Sequence, residues 1–138
     1  MHVDGSEQIL KNWDELKKRE KKQTTVGDTL RSVAKSLPAL WRAEKIQSKA
    51  AKAGYGRTET GDALDELSGK LDGLRAAVRA DEQRFEALGD LLFAVTDAAR
   101  LLNVDPEDAL HAACERYTGD FIRREEAGAS ETGKQLDD

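Results

Sequence analysis

Leu64, Leu67, Leu71, Leu74 and Val78 recur at alternating steps of three and four, and Phe85, Leu88, Leu92, Val95, Ala99 and Leu102 repeat the pattern. This spacing gathers one apolar residue per turn on one side of an α-helix; a strand, with its period of two, would scatter them over both faces. Two such helices broken near Asp81 predict an antiparallel hairpin. Leu91, Ala94, Ala98 and Leu101 widen the second stripe, so that helix is expected to be the most buried. Composition agrees: 138 residues hold only two prolines and 5% aromatics, a helix-compatible balance.

The remaining segments complete an all-α reading. Ser6 can cap a helix over 6–22 that carries Ile9, Leu10, Trp13 and Leu16. The polar stretch 23–35, with Gly27, reads as a loop. Ser36-Leu37-Pro38 offers a capping hydroxyl and a proline in the first turn, starting a helix that stops at Gly54. Its Ala39, Ala43, Ile46, Ala50 and Ala53 would let a neighbour approach closely. Asp105-Pro106 opens a last helix with Ala109, Leu110, Ala113, Tyr117 and Phe121 inward. Residues 127–138 read as a disordered tail. The expectation is one domain over 1–126, an all-α bundle of about five helices with its core at 36–126. Its apolar faces are wide enough to call for a second copy, so a homodimer is expected.

Composition excludes several classes of function. No apolar run approaches the ~18 residues that cross a bilayer, so no membrane partner is expected. The first residues show no basic segment leading into an apolar one, and a single cysteine, Cys114, rules out a disulfide framework; a reducing, cytoplasmic setting follows. Cys114 reads as a packed thiol, and Trp13 and Trp41 as core or interface anchors. His2 and His111 are too poorly partnered to suggest a metal pair. Residues 31–57 carry seven basic side chains against one acid, whereas 58–138 carry nine against twenty. A basic stretch facing an acidic one suits an anionic ligand held through metal, and equally suits solvated helix faces. Basic charge without interleaved aromatics argues against nucleic acid as a partner.

Several segments carry a resemblance. Leu88-Gly89-Asp90-Leu91-Leu92-Phe93-Ala94-Val95 and Ala98 to Leu110 resemble the MazG family of nucleoside-triphosphate pyrophosphohydrolases. Ile9-Leu10-Lys11-Asn12-Trp13-Asp14-Glu15-Leu16-Lys17 is similar to the segment that precedes the second domain of two-domain members, and Lys35 to Leu40 with Arg42-Ala43 and Lys45-Ile46-Gln47 is similar to "kSLPALlrAxkiQ". These segments span most of residues 2–121. His2-Val3 looks like the end of a preceding domain, which implies correspondence to the C-terminal half of a longer protein. The resemblance implies an all-α fold and carboxylates in E-E-x-x-E and E-x-x-D patterns on two facing helices. These would hold magnesium (Mg2+), which polarises the α-phosphorus and releases pyrophosphate from a triphosphate.

At those positions the chain departs from the family. The E-E-x-x-E positions fall on Gly69, Lys70 and Gly73, and the family glutamate of E-x-x-D falls on Ala87, leaving Asp90. "GFDW" becomes Gly54-Tyr55-Gly56-Arg57, and "ANxKF" becomes Ala113-Cys114-Glu115-Arg116-Tyr117. Core positions are kept where ligand positions are lost. The expectation is therefore a catalytically inactive homologue that serves as a nucleotide-binding or dimerisation domain, with Mg2+ weakly held or absent. The alternative is an active divergent enzyme whose metal site is rebuilt from Glu66, Glu86, Asp90 and Asp97. Lys70 either replaces the metal by pairing with Asp90, binds a phosphate directly, or makes an ordinary ion pair among the remaining acids. Gly69 and Gly73 either admit a close neighbour or mark an eroded cleft. Lys45 and Lys49, with Arg116 and Tyr117 by the family pattern, are the candidates for phosphate or nucleotide contact.

Overall fold

The computed structural model describes residues 25–132, so the helix expected over 6–22, Trp13, His2 and residues 133–138 lie outside the described residues. Within it the chain is all-α: α1 Val26–Arg31, α2 Ala39–Lys52, α3 Thr60–Ala80, α4 Arg84–Leu101 and α5 Pro106–Thr132. No strand occurs among the described residues. The hairpin of α3 and α4 is the most extensive packing, α2 lies across α4, α1 rests on α2, and α5 touches α2 and α4.

Helix ends follow local chemistry. Gly54, at φ 89°, ends α2 as expected, with Tyr55 N–H donating to Ala50 O and Gly54 N–H to Ala51 O. That double bond is the Schellman closure, which satisfies the last carbonyls. Asp81 and Asn103 close α3 and α4 in the same way at φ 54° and 57°, a conformation their short polar side chains tolerate. The Asp105 carboxylate accepts from the Glu107 and Asp108 backbone N–H groups and caps α5.

Four expectations about the elements are corrected. Residues 23–35 are not all loop: Thr25 and Asp28 form a reciprocal capping box that nucleates α1. Ser36 does not cap α2; Pro38 itself is the N-cap, without a side-chain bond, and its carbonyl accepts from Arg42 N–H. Residues 127–132 are helical, because α5 runs on through Gly128, a break that costs only about 1 kcal/mol. Cys114 is exposed, as α5 meets its neighbours too sparingly to cover it.

The largest correction concerns the stripes. Among the described residues the buried apolar core is Val33, Ala63, Ala94 and Ala98, and on α4 it is the set Ala87, Leu91, Ala94, Ala98 and Leu101 that is buried or half-buried. The small side chains are the ones covered, and the bulkier stripe is turned away from the packed side. Phe85, Leu88, Leu92, Val95 and Leu102 are exposed, as are Leu64, Leu71 and Val78 on α3. Leu110, Tyr117 and Phe121, expected inward on α5, are exposed too.

Candidate functional site

α2 is fastened to α4 by a buried polar knot. The Gln47 carboxamide donates to Phe93 O at 2.7 Å, and the Thr96 hydroxyl, fully buried, reaches Gln47 Oε1 at 3.0 Å and Phe93 O at 2.8 Å. A buried amide and hydroxyl that satisfy each other fix the register of two helices, because any slip would strand them. Thr96 in the middle of an apolar run is the sequence signal for such a knot.

Beside the knot, the loop after α2 bends back over the helix. A Cβ on Gly56 would lie 2.5 Å from Ala51 Cβ and 2.7 Å from its Cα, so only glycine permits this approach. The next residue, Arg57, is held at both ends. Its carbonyl accepts from Arg100 at 2.8 Å, and its guanidinium meets Glu66 Oε2 at 2.8 Å. Lys70, one turn on from Glu66, contacts Glu66 Oε1 at 3.6 Å.

These elements enclose a cleft of about 470 Å³. Leu30, Ile46, Ala50, Tyr55 and Phe93 form its apolar wall; Arg57, Glu66, Lys70, Asp90 and Asp97 supply its charge. Asp97 is neutralised by Arg100 at 2.9 Å, a pair with side chains only 19% and 14% exposed. Glu66 has two cations to itself, and Asp90 has no ion-pair partner among the described residues. The Glu66 pairs are 38–44% exposed, a setting in which each contributes at most about 1 kcal/mol.

The residues singled out from the sequence fall into three places. Lys70 pairs with Glu66, not with Asp90, because a four-residue step on one helix brings them together. Glu66, Asp90 and Asp97 share the cleft, whereas Glu86 and Ala87 line a separate hollow with Gly73, touching the first only through Asp90. Gly69 and Gly73 face open space, with nothing within 4 Å of a built Cβ, so no neighbouring backbone requires them. Lys45 and Lys49 on α2, and the exposed Arg116 and Tyr117 on α5, do not line the cleft. Arg57 was visible in the sequence only as a departure from a motif; its partnership with Glu66 crosses a loop that no periodicity describes.

The donor set does not fit a divalent cation. Magnesium takes hard oxygen ligands, and Gly69, Gly73 and Ala87 have none to offer. Lys70 places an ammonium at a fourth ligand position, and Glu66 is engaged by Arg57 and Lys70. Among the described residues no group of three or more His, Cys, Asp or Glu side chains is placed to hold a metal ion.

Away from the cleft, α2 also anchors α5. Trp41 Nε1–H donates to Asp105 Oδ1 at 2.7 Å, and this bond with the α5 backbone donors holds the Asp105 carboxyl below its usual range. Glu44 lies near it with Oε2 buried and unpartnered. Burial, and then the Asp105 charge, push the Glu44 carboxyl up, with Arg100 acting in opposition.

An antiparallel helix hairpin, crossed by a third helix and closed by a glycine loop over one charged cleft, defines an all-α bundle protein. No protein-family model matches the chain. It is 34% identical over 123 residues to a nucleoside triphosphate pyrophosphohydrolase of Escherichia coli K12, a match that takes in 86% of this chain and 47% of that one. It is 32% identical over 119 residues to the nucleoside triphosphate pyrophosphohydrolase/pyrophosphatase MazG of Thermotoga maritima, covering 84% of this chain and 45% of the other. An uncharacterised protein, YabN, of Bacillus subtilis is 35% identical over 139 residues, covering 99% and 28%. The chain belongs to the MazG family, and it spans less than half the length of these relatives.

Proposed function

We propose that this chain is a MazG-like nucleoside-triphosphate pyrophosphohydrolase homologue that binds nucleotide in the cleft beside Arg57 and Lys70 without hydrolysing it by the family's metal chemistry. The observation that carries this reading is the ligand set: Gly69, Lys70, Gly73 and Ala87 stand at four of the five carboxylate positions. A fold kept intact around a lost ligand set supports a binding role. In a panel of melting curves, nucleoside triphosphates raise the melting temperature of the intact chain; a flat response across the panel would contradict the reading.

The same reading makes the chain a homodimer in a cytoplasmic setting. The uncovered stripe of α4 keeps the three-four spacing that suits a helix pair, and the exposed Leu64, Leu71 and Val78 of α3 recur every seven residues. One patch pairing with itself gives a closed two-fold dimer. Light scattering then returns twice the 15.2 kDa chain mass, and a single-chain mass would contradict it. A second reading, an active enzyme using Glu66, Glu86, Asp90 and Asp97, draws its support from Asp90, the unpaired carboxylate common to both hollows.

A further inference from the structure

The segment that the sequence reads as a helix over 6–22 lies outside the described residues and directly precedes α1, which borders the cleft. We infer that this segment is the cleft's own occupant, with Trp13 and Leu16 against the apolar wall and the basic run that follows them against the unpaired acids. The contact stands on the shape and charge of the cleft, whether or not a nucleotide also enters, and any other ligand has to displace it.

Charge is the first argument. The cleft and the open hollow beside it are lined by two cations, Arg57 and Lys70, and by five acids, Asp62, Asp65, Glu66, Asp90 and Asp97. Asp97 is matched by Arg100, and Glu66 by Arg57 and Lys70 together. Asp62, Asp65 and Asp90 have no ion-pair partner among the described residues. Residues 17–22 read Lys-Lys-Arg-Glu-Lys-Lys, five cations to one acid. A net-acidic surface draws in such a run and sets its register.

Shape is the second. Leu30, Ile46, Tyr55 and Phe93 give the cleft an apolar wall, and the two aromatic rings are exposed. Ile9, Trp13 and Leu16 recur at steps of four and three, so in the expected helix they share one face. Lys17 and Arg19 flank that face, and Asp14 and Glu15 fall behind it. Glu20 follows on the face itself, where Arg57 and Lys70 are the groups that meet it.

The tether is the third. Only Gln23 and Thr24 separate Lys22 from Thr25, the N-cap of α1, and connections this short join antiparallel helices. Leu30 lies about 7.5 Å along α1 from Thr25, and Leu16 about 9 Å back along the expected helix from Lys22. A segment folded back beside α1 therefore brings Leu16 level with Leu30, at the rim of the cleft. So short a tether gives an effective concentration on the order of millimolar, at which modest contacts suffice.

Carbodiimide crosslinking of the intact chain, with isotope-labelled and unlabelled protein refolded together and read by mass spectrometry, tests the inference. Amide links are expected from Lys17, Lys18, Lys21 or Lys22 to Asp62, Asp65 or Asp90, each within one chain. Trp13→Ser combined with Leu16→Ser keeps every reacting group and removes the apolar anchor, so these yields should fall about fivefold or more. No such links, or yields that the double variant leaves unchanged, would overturn the inference. Links that join labelled to unlabelled chains would assign the cleft to the segment of a second copy and would overturn it as well.

Discussion

Two faces of α4 have opposite fates. The face toward α2 and the cleft carries Phe93, Thr96, Asp97 and Arg100, and each of these takes part in a hydrogen bond. The other face carries Phe85, Leu88, Leu92, Val95 and Leu102, the most hydrophobic stripe in the sequence, and it is uncovered, with Phe85 93% exposed. Hydrogen bonds and ion pairs specify how the single chain closes on itself. Among the described residues the buried apolar core is one valine and three alanines, while the largest apolar side chains stay exposed.

The strongest way to break this contrast is to charge the uncovered face. Leu92→Glu is expected to raise the dimer dissociation constant about a hundredfold or more, roughly 3 kcal/mol, while the single chain stays helical. Scattering mass against concentration reads the first, and circular dichroism the second. Unfolding of the helices would show that the stripe belongs to the core of one chain.

The specified face is probed next. Gly56→Ala drives a Cβ into Ala51 and should cost about 1–3 kcal/mol in denaturant unfolding. It also moves Arg57, so nucleotide affinity should fall with it. Thr96→Val removes the hydroxyl partner of Gln47 Oε1 and should cost roughly 1–2 kcal/mol. An unchanged midpoint would mean that the knot does not hold α2 to α4.

What the sequence disclosed divides along the same line. Helices, the stop at Gly54, the break near Asp81 and the Asp105 cap were legible because each depends on neighbours within one turn. The missing carboxylates at Gly69, Lys70, Gly73 and Ala87 were legible as identities. The direction of each stripe was not. Two sets on α4 keep the same three-four spacing, and the one that holds Ala94 and Ala98 is covered while the bulkier one is not. The Arg57–Glu66–Lys70 group stayed hidden because a loop separates Arg57 from α3, and the Thr25–Asp28 capping box was present in the letters but masked by a polar, glycine-containing stretch.

The smallest effect expected is in pH. Glu44, pushed up by burial and by Asp105, holds its proton more tightly folded than unfolded. Its contribution is therefore fully present below the ordinary glutamate value of 4.5 and is lost as pH rises through the elevated folded value. Asp105 runs the other way: its stabilisation is present above the ordinary aspartate value of 3.8 and is lost as pH falls through the lowered one. Glu44→Gln should flatten the decline on the high-pH side and leave the acid limb in place. A stability curve unchanged by that substitution would remove Glu44 from the account.

The central claim is that a MazG-family bundle has kept its fold and its cleft while giving up metal-assisted hydrolysis. Pyrophosphate release from the common nucleoside triphosphates, at high protein concentration with magnesium present, tests it most directly. No release above the protein-free rate is the predicted result. Magnesium-dependent release that disappears in Asp90→Ala would contradict it.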